Sequence, residues 1–327
     1  PDHPFGSHLA WALPGVLAVV RCLHGMWAPQ VRAQLGFLND ALEMGQFEKV
    51  FNMGQGLPGH LLVPKDNEED AAGVGGSSME AFRVWVKGLR DSAYQFLGLA
   101  MAAVPEPVYA QVAISQQMAQ TILTGMECIE TRHLRLLVRS FLWGVVRHCP
   151  EQCWNSWLLP WIPGFCGHMH SRLVQEWARI AAVGGAETPP KRKEPLSDEI
   201  IEERQLRELT RDHLQMLLVV ATINGDQSQA AAAPTILNWL IQYEPNSAAS
   251  LMATAIASIC WPDRDAAAKG TKVCRVLLNI ARRDQRLENL VCQDLFAAAI
   301  TGLTLMSHAD FQSELLLLIR DVLLWFG

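Results

Sequence analysis

The chain has 327 residues and a formal net charge of −6 at pH 7, and 50% of its residues are hydrophobic. This composition excludes an intrinsically disordered chain and supplies enough apolar side chains for a sizeable core. Only three residues are tyrosines, and long runs of Leu, Ala, Met, Gln and Arg favour helix over sheet. We therefore predict an all-α protein.

Helical periodicity, interrupted by Pro, Gly and polar residues, divides the chain into a series of predicted helices. They span 7–26, 29–45, 79–103, 106–124, 129–148, 151–162, 166–183, 198–223, 233–243, 246–261, 265–283, 285–304 and 308–326. Most connections are short, so consecutive helices are expected to be antiparallel neighbours, and pairs recur at roughly 40 to 47 residues, as in HEAT-type repeats. The sequence predicts an irregular α-solenoid of HEAT-type helix pairs.

Two segments poor in apolar residues interrupt this predicted array, at 64–79 and at 184–197. Both are rich in Gly, Pro and charged residues, and we interpret them as mobile loops. The second loop would divide the array into helical repeats over 1–183 and further helical repeats over 198–327.

The stretch "IETRHLRLLVRSFLWGVVRHC" at 129–149 combines an apolar stripe with a row of arginines. On a helix, one face carries the apolar side chains Leu134, Leu137, Phe141 and Val145. Arg132, Arg135 and Arg139 form a second row, roughly 160° to 200° away. We expect the apolar face in the core and the arginine face toward solvent or a polar ligand. Trp143 falls on the arginine side, where packing against a neighbouring helix pair is favoured over base stacking.

Two further basic groups occur later in the chain. They are Lys191, Arg192 and Lys193 in the second loop, and Arg282, Arg283 and Arg286 at the end of a predicted helix. Each group alone is also explained by a solvated loop or helix face. Together with the arginine row, they would supply phosphate contacts along a curved array if they face inward.

The segment "CPEQCWNSWLLPWIPGFCGHMH" imitates the spacing of zinc ligands. The tryptophans and leucines inside it indicate a buried helix, and His168 and His170 diverge by about 200° on a helix. Buried thiols and partly exposed histidines are therefore favoured over a metal site. No phosphate-binding loop, nucleophile elbow or His-Glu-x-x-His pattern occurs, so we predict no catalytic residue, metal or cofactor, and no enzyme.

The eight cysteines lie mostly in apolar helical stretches, which indicates free thiols in a reducing compartment. No apolar run reaches the roughly 18 residues of a membrane span, because Arg320 and Asp321 interrupt the last one. We expect a soluble chain with no membrane insertion. Since it starts without Met and stops within an apolar helical pattern, we also expect it to be part of something longer.

From residue 132 onward, the order of features resembles that of a known family. An arginine-bearing helix is followed by a Cys-Pro break, an apolar helix that ends in Leu-Pro, and a helix with "HMHSRLVQEW". After the second loop, "EIIEERQLRELTRDHLQMLL" at 199–218 adds a Glu-Glu-x-x-Leu opening and a Leu-Thr-Arg centre. This order resembles the exportin-5 family of nuclear export receptors, which includes the plant HASTY type.

The resemblance implies a middle-to-C-terminal segment of a superhelical receptor of the importin-β/exportin superfamily. With Ran-GTP, such a receptor carries pre-microRNA, other double-stranded or hairpin RNA, tRNA or protein cargo past nucleoporins, and shuttles between nucleus and cytoplasm. Its Ran-binding repeats lie mainly outside the region matched here. RNA would be held by its shape and backbone charge, because side chains cannot read the deep major groove of double-stranded RNA. The arginine row would then belong to an inward-facing basic strip.

A second interpretation stays open at this point. A HEAT-type scaffold that binds only proteins, such as a phosphatase or condensin subunit, would have the same repeats and no role with RNA.

Overall fold

The computed structural model describes residues 6–42, 74–184, 197–222 and 235–326. Secondary structure in these ranges is helical, and they contain no strand. The α-helices are α1 Gly6–Gly25, α2 Pro29–Gln34, α3 Phe37–Leu42, α4 Val74–Ala103, α5 Pro105–Tyr109, α6 Val112–Leu123, α7 Thr131–Leu136, α8 Trp143–His148, α9 Trp154–Trp157, α10 Ile162–Gly184, α11 Ser197–Ala221, α12 Ile236–Tyr243, α13 Pro245–Ser258, α14 Arg264–Ala281, α15 Phe296–Leu303 and α16 Gln312–Phe326. The all-α prediction is confirmed.

Several shorter turns join these helices. They are the 3₁₀ turns Met126–Cys128, Glu151–Cys153, Gln285–Leu287 and Met306–Phe311, and the π-helical turns Leu137–Leu142 and Leu290–Leu295. The first π-helical turn joins α7 to α8 without a break, and the second leads into α15. Each π turn places an i→i+5 hydrogen bond where an α-helix would have i→i+4, so it shifts the helical register of the residues after it.

The long helices form two layers. One layer contains α4, the α7–α8 helix, α11, α14 and α16, and each of these packs against the next. The other layer contains α1, α6, α10, α13 and α15; α1 packs on α6, α6 on α10 and α10 on α13. Helix α1 also contacts α4, α10 contacts α11, α13 contacts α14 and α15 contacts α16. The described residues therefore contain successive helix pairs with one helix in each layer, as the HEAT-type prediction requires.

A continuous apolar core lies between the layers and extends from Leu13 in α1 to Val322 in α16. The tryptophan-rich turn around α9 is part of it. The Trp157 indole N–H donates to the Tyr109 carbonyl oxygen at 2.8 Å, and the Trp161 indole N–H donates to the Trp157 carbonyl oxygen at 2.8 Å. These bonds satisfy the polar atom of each large ring, which makes full burial of the rings favourable.

The predicted element boundaries are wrong at two places near the start of the chain. The single helix expected at 29–45 is divided into α2 and α3, with Gly36 between them, because glycine weakens helix propagation. Helix α4 begins at Val74, inside the loop expected at 64–79, because each residue added to a growing helix gains a hydrogen bond. Residues 64–73 of that loop lie outside the described residues.

The second predicted loop also lies mostly outside the described residues, since α10 ends at Gly184 and α11 begins at Ser197. These two helices contact each other. The division into repeats at 184–197 stays a prediction. Across the described ranges, no single helix has both the length and the hydropathy to cross a bilayer; the segments Gln285–Leu303 and Met306–Phe326 meet that test only together and are bent by 110°.

Candidate nucleic-acid interface

The apolar stripe of the arginine-bearing helix is buried as predicted. Leu134, Leu137, Phe141 and Val145 are all fully buried. Trp143 is half-buried against the core, and the Arg147 guanidinium lies 4.9 Å from its ring centre. Trp143 therefore packs on the protein core, and its expected contact with a neighbouring helix pair stays a prediction.

The first arginine of the row is not a free surface cation. The Arg132 Nε donates to the Glu130 carboxylate at 2.8 Å, and its Nη2 donates to the Leu42 carbonyl oxygen at 2.6 Å. Only 10% of the Arg132 side chain is exposed. This guanidinium ties α7 to the end of α3, so the expectation of a fully solvated arginine face is wrong at this position.

The second arginine forms an ion pair with the next helix of its layer. Arg135 Nη1 lies 2.5 Å from Glu208 Oε2, and its Nε lies 2.9 Å from Asp212 Oδ2. Both carboxylates lie on α11, one helical turn apart. Because 25% of the Arg135 side chain is exposed, the triad is accessible to solvent from one side, and most of the arginine charge is neutralised within the protein.

Arg139 is exposed and has no ion-pair partner among the described residues. It belongs to the π-helical turn Leu137–Leu142, whereas Arg132 and Arg135 lie on regular α7. The three arginines therefore do not form one uniform exposed row. Sequence reasoning could place them on one side of a helix, but it could not show that acidic residues of α11 are opposite the middle arginine.

The π-helical turn lies where α4 crosses the α7–α8 helix, and the backbones of the two helices are very close together there. A Cβ atom at Gly98 would lie only 2.0 Å from the Ser140 carbonyl oxygen, and one at Gly144 would lie 3.1 Å from the Gly98 carbonyl oxygen. The crossing requires glycine at position 98 and leaves little room for a larger residue at position 144.

The basic group near the end of α14 is exposed but partly engaged. The Arg282 guanidinium lies 4.2 Å from the ring centre of Trp325, a cation–π distance. Arg286 forms a bidentate pair with Asp284, the shorter contact being 2.6 Å, and this pair lowers the pKa of the Asp284 carboxyl. Arg283 is also exposed. Lys191, Arg192 and Lys193 lie outside the described residues.

Charge is distributed unequally between the two helix layers. Helices α6, α13 and α15 contain no Asp, Glu, Lys or Arg. The α7–α8 helix, with its π turn, carries four arginines and no acidic residue, and α14 carries four cations and one aspartate. In the layer that contains α4, α7–α8, α11, α14 and α16, the positive charge is therefore concentrated on the α7–α8 helix and α14. Helix α11 between them carries six acidic residues and three arginines.

The joint between the third and fourth helix pairs contains a second cluster that sequence analysis missed. The Asp263 side chain is fully buried; it accepts the Ala266 backbone N–H at 2.8 Å, which caps α14. It also pairs with Arg211 at 2.7 Å and Arg207 at 3.2 Å. These bonds hold the pKa of the Asp263 carboxyl below its usual value despite its burial. An Asp directly before a helical run is a known capping signal, and it could have been found in the sequence.

A buried polar network, also missed, connects the first two helix pairs. His24 Nδ1 donates to the Thr121 carbonyl oxygen at 3.0 Å, so its Nε2 accepts from the Tyr94 hydroxyl at 2.6 Å. The buried Arg90 donates to His133 Nε2 at 2.6 Å. Burial lowers the pKa of His24 to about 4 and that of His133 well below its ordinary value, with nearby Arg90 adding to both shifts. Both imidazoles are therefore neutral near pH 7.

The cysteine and histidine cluster does not converge on one point. Cys149 and Cys166 are buried, and His168 and His170 are half-buried, as the favoured interpretation predicts. The His170 Nδ1 atom is 3.0 Å from the Thr254 hydroxyl. Within the described ranges, no three His, Cys, Asp or Glu side chains are placed to hold a metal ion together.

Comparison with known proteins agrees with this architecture. A family model described as Exportin-5 matches residues 1–326. The chain belongs to the Exportin-5 family. The HEAT-type helix pairs are therefore those of an exportin-family α-solenoid, and the family resemblance seen from residue 132 onward extends over the whole chain.

Curated Exportin-5 family relatives also match, at low identity. Protein HASTY 1 of Arabidopsis thaliana is 25% identical, with 100% of this chain and 30% of the relative covered. Exportin-5 of Mus musculus and Exportin-5 of Homo sapiens are each 23% identical, with 94% of this chain and 27% of each relative covered. The chain thus spans less than a third of the length of these relatives.

Proposed function

We propose that this chain is a cargo-binding segment of a nuclear export receptor. The observation that carries the proposal is the match of the Exportin-5 family model to residues 1–326. The cargo we assign is structured RNA, such as pre-microRNA, double-stranded or hairpin RNA, or tRNA, carried together with Ran-GTP. Protein cargo is a further class for the same receptor.

The described surface supports RNA binding through phosphate contacts. Arg139, Arg282, Arg283 and Arg286 are exposed cations. A phosphate at Arg286 would compete with Asp284, but 73% of the Arg286 side chain is open to solvent, compared with 10% for Arg132 and 25% for Arg135. Arg139 lies on the α7–α8 helix, and the other three follow from α14 of the same layer. Contacts of this kind neutralise phosphates without reading bases, which suits an RNA duplex recognised by its shape. Lys191, Arg192 and Lys193 belong to the proposed contact set by their charge alone.

Arg132 and Arg135 have a different part in the proposal. Their guanidinium groups already bond Glu130, Glu208 and Asp212, so a phosphate would have to compete with these carboxylates. We assign them to holding α7 against α3 and α11, with phosphate contact as a secondary role. The neighbouring cation Arg139 is then presented at a fixed position.

The remaining partners follow from the proposed transport. Nucleoporins would bind during passage through the pore, and the receptor would be present in both nucleus and cytoplasm. Ran-GTP would bind mainly through repeats outside this chain. We propose no catalytic activity, because a transport receptor acts by binding and release.

The test is binding of a hairpin RNA, followed by fluorescence anisotropy at several salt concentrations. Replacement of Arg139, Arg282, Arg283 and Arg286 by Gln should weaken binding about equally for hairpins of different sequence. The slope of log affinity against log salt should become less steep by somewhat under one unit for each lost phosphate contact. Arg179→Gln, at an exposed position on α10 of the other layer, is the control.

Two outcomes would count against the proposal. If the fourfold variant keeps the affinity and salt slope of the unmodified chain, these arginines do not touch RNA. If the unmodified chain binds no hairpin at any salt concentration, the alternative of a protein-binding HEAT scaffold without an RNA role is favoured.

A further inference from the structure

A cleft of about 570 Å³ lies between the turn after α8 and helix α12. One wall is the segment 151–155, which contains the 3₁₀ turn and the start of α9, and the other wall is α12. The cleft is separate from the arginines assigned to RNA, none of which lines it. Its volume is within the range of ordinary ligand sites.

The α12 wall presents two aromatic rings to the cleft. Trp239 and Tyr243 are four residues apart on the helix, and their ring centres are 6.3 Å apart. Trp154 lies behind Trp239 at a centre distance of 6.0 Å, and its indole N–H is bonded to the Cys149 carbonyl oxygen at 3.2 Å. Tyr243 is 59% exposed. The buried, hydrogen-bonded Trp154 thus supports a rigid aromatic surface that is open to solvent.

The cleft also contains four primary amides: Gln152, Asn155, Asn238 and Gln242. In the part of the chain that the structure describes, none of these side chains has a hydrogen-bond partner, and the Trp239 indole N–H and Tyr243 hydroxyl have none either. Glu151 is the one charged residue that lines the cleft. The site therefore offers aromatic faces, several unused donors and acceptors, and one negative charge.

This chemistry excludes several classes of ligand. A nucleic acid would place phosphates beside Glu151 with no lining cation to neutralise them. A phosphorylated peptide would need an arginine cluster, and an added β-strand would need a sheet edge, which the described residues do not contain. An amphipathic helix satisfies its own backbone groups, so its backbone could not bond the amides, and it docks by its apolar face in a hydrophobic groove, which this polar cleft is not.

A proline-rich peptide in the polyproline II conformation fits every feature. Its backbone carbonyls have no internal partner and can accept from the amide groups and the Trp239 indole N–H. Its proline rings can pack on Trp239 and Tyr243, as in other aromatic-lined grooves that bind such peptides. A basic residue next to the prolines would face Glu151. We propose that this cleft binds a proline-rich peptide with a flanking Lys or Arg, supplied by a partner protein.

The test uses the whole chain and a fluorescein-labelled peptide of eight prolines with a lysine at each end. A peptide of equal length, in which Gly and Ser replace the prolines, is the matched control. We expect saturable binding of the proline peptide by fluorescence anisotropy and none of the Gly/Ser peptide. Tyr243→Ala should weaken binding at least about tenfold, as for an aromatic anchor in an interface. Trp239→Ala should do the same, and circular dichroism will report whether each variant remains helical.

Two further variants test the details of the site. Trp11→Ala removes another exposed tryptophan, far along the chain on α1, and should leave peptide binding unchanged. Glu151→Gln should weaken binding of the lysine-flanked peptide and make binding less dependent on salt. Equal binding of both peptides, binding of an oligouridylate in place of the proline peptide, or unchanged binding by folded Tyr243→Ala would each overturn the proposal. Hairpin RNA binding by Tyr243→Ala should stay unchanged, so failure here is distinguishable from failure of the RNA proposal.

Discussion

Arg135 and Asp212 face each other across the joint between the second and third helix pairs, with Arg135 Nε 2.9 Å from Asp212 Oδ2. Glu208, one turn earlier on α11, binds the same guanidinium. Because both acids belong to one helix and the arginine to another, the triad links consecutive repeats by charge as well as by apolar packing. Arg139, four residues after Arg135, has no such link in the described part of the chain.

The first prediction compares these two arginines. Arg135→Gln should lower the free energy of unfolding by about 1–2 kcal/mol, because the site is only partly screened by solvent. Asp212 loses its bond to Arg135, and Glu208 keeps only the longer contact to Arg204 at 3.5 Å. Arg139→Gln should change it by less than about 0.5 kcal/mol, as is usual for an exposed position. Urea denaturation of both variants measures the difference. Equal stabilities would show that the Arg135 triad contributes nothing net.

The second prediction concerns the crossing of α4 and the π-helical turn. Gly98→Ala should destabilise the chain by about 3 kcal/mol or more, because the new Cβ would overlap the backbone carbonyl oxygen of Ser140, which cannot rotate away. Gly88→Ala is the matched control on the same helix, since a Cβ there has no atom within 4 Å. It should be neutral or stabilising by up to about 1 kcal/mol through helix propensity. Thermal unfolding followed by circular dichroism would rank the two.

Sequence reasoning predicted the fold better than the surface. The apolar stripe of Leu134, Leu137, Phe141 and Val145 determines which face of its helix is buried, because burial of large apolar side chains dominates the energetics. The same periodicity could not give the partner of Arg135, since Glu208 lies 73 positions later in the chain. Long-range ion pairs depend on how repeats stack, and helical periodicity contains no information about that.

The π-helical turns could not be predicted from the sequence either. The segment Leu137–Leu142 has an ordinary helical composition, and a sequence pattern reports the average period of a helix, not one inserted residue. Close contact at Gly98 and Gly144 accompanies the turn, but an isolated glycine within a helical run also has simpler explanations. By contrast, the cap at Asp263 is a local signal, and it was available before the structure.

The third prediction is a pH dependence of stability. Burial lowers the pKa of His24 to about 4 and that of His213 to about 3, and it lowers the pKa of His133 as well. In the unfolded chain these histidines titrate near their ordinary value of about 6.5. Between about pH 6.5 and 4 the unfolded state therefore binds more protons than the folded state. Stability should fall as pH falls through this window, by up to about 1.4 kcal/mol per pH unit for each group.

Urea denaturation at several pH values from 8 to 5 tests this, with no contribution from these histidines expected above about pH 7. His213→Leu should make the decline shallower, because both ring nitrogens of His213 are buried without a hydrogen-bond partner and the variant cannot be protonated. The exposed His8, replaced by Asn, serves as the control and should leave the slope unchanged. A decline of equal steepness in His213→Leu would contradict the assignment.

The last prediction concerns exposed apolar side chains at the two ends of the described array. Leu324 on α16 is 71% exposed and Trp11 on α1 is 73% exposed, and each has further exposed apolar neighbours, including Leu316, Leu323 and Phe96. Trp11 and Phe96 line an apolar groove of about 500 Å³ between α1 and α4.

Contiguous apolar surface of this kind favours association in water. We expect the chain to form oligomers or aggregates at micromolar concentration, measured by light scattering at increasing concentration. Leu324→Glu combined with Trp11→Glu should shift the chain toward monomer, whereas Val112→Glu, at an exposed position on α6, should not. A clean monomer of the unmodified chain at these concentrations would show that the two apolar ends do not drive association.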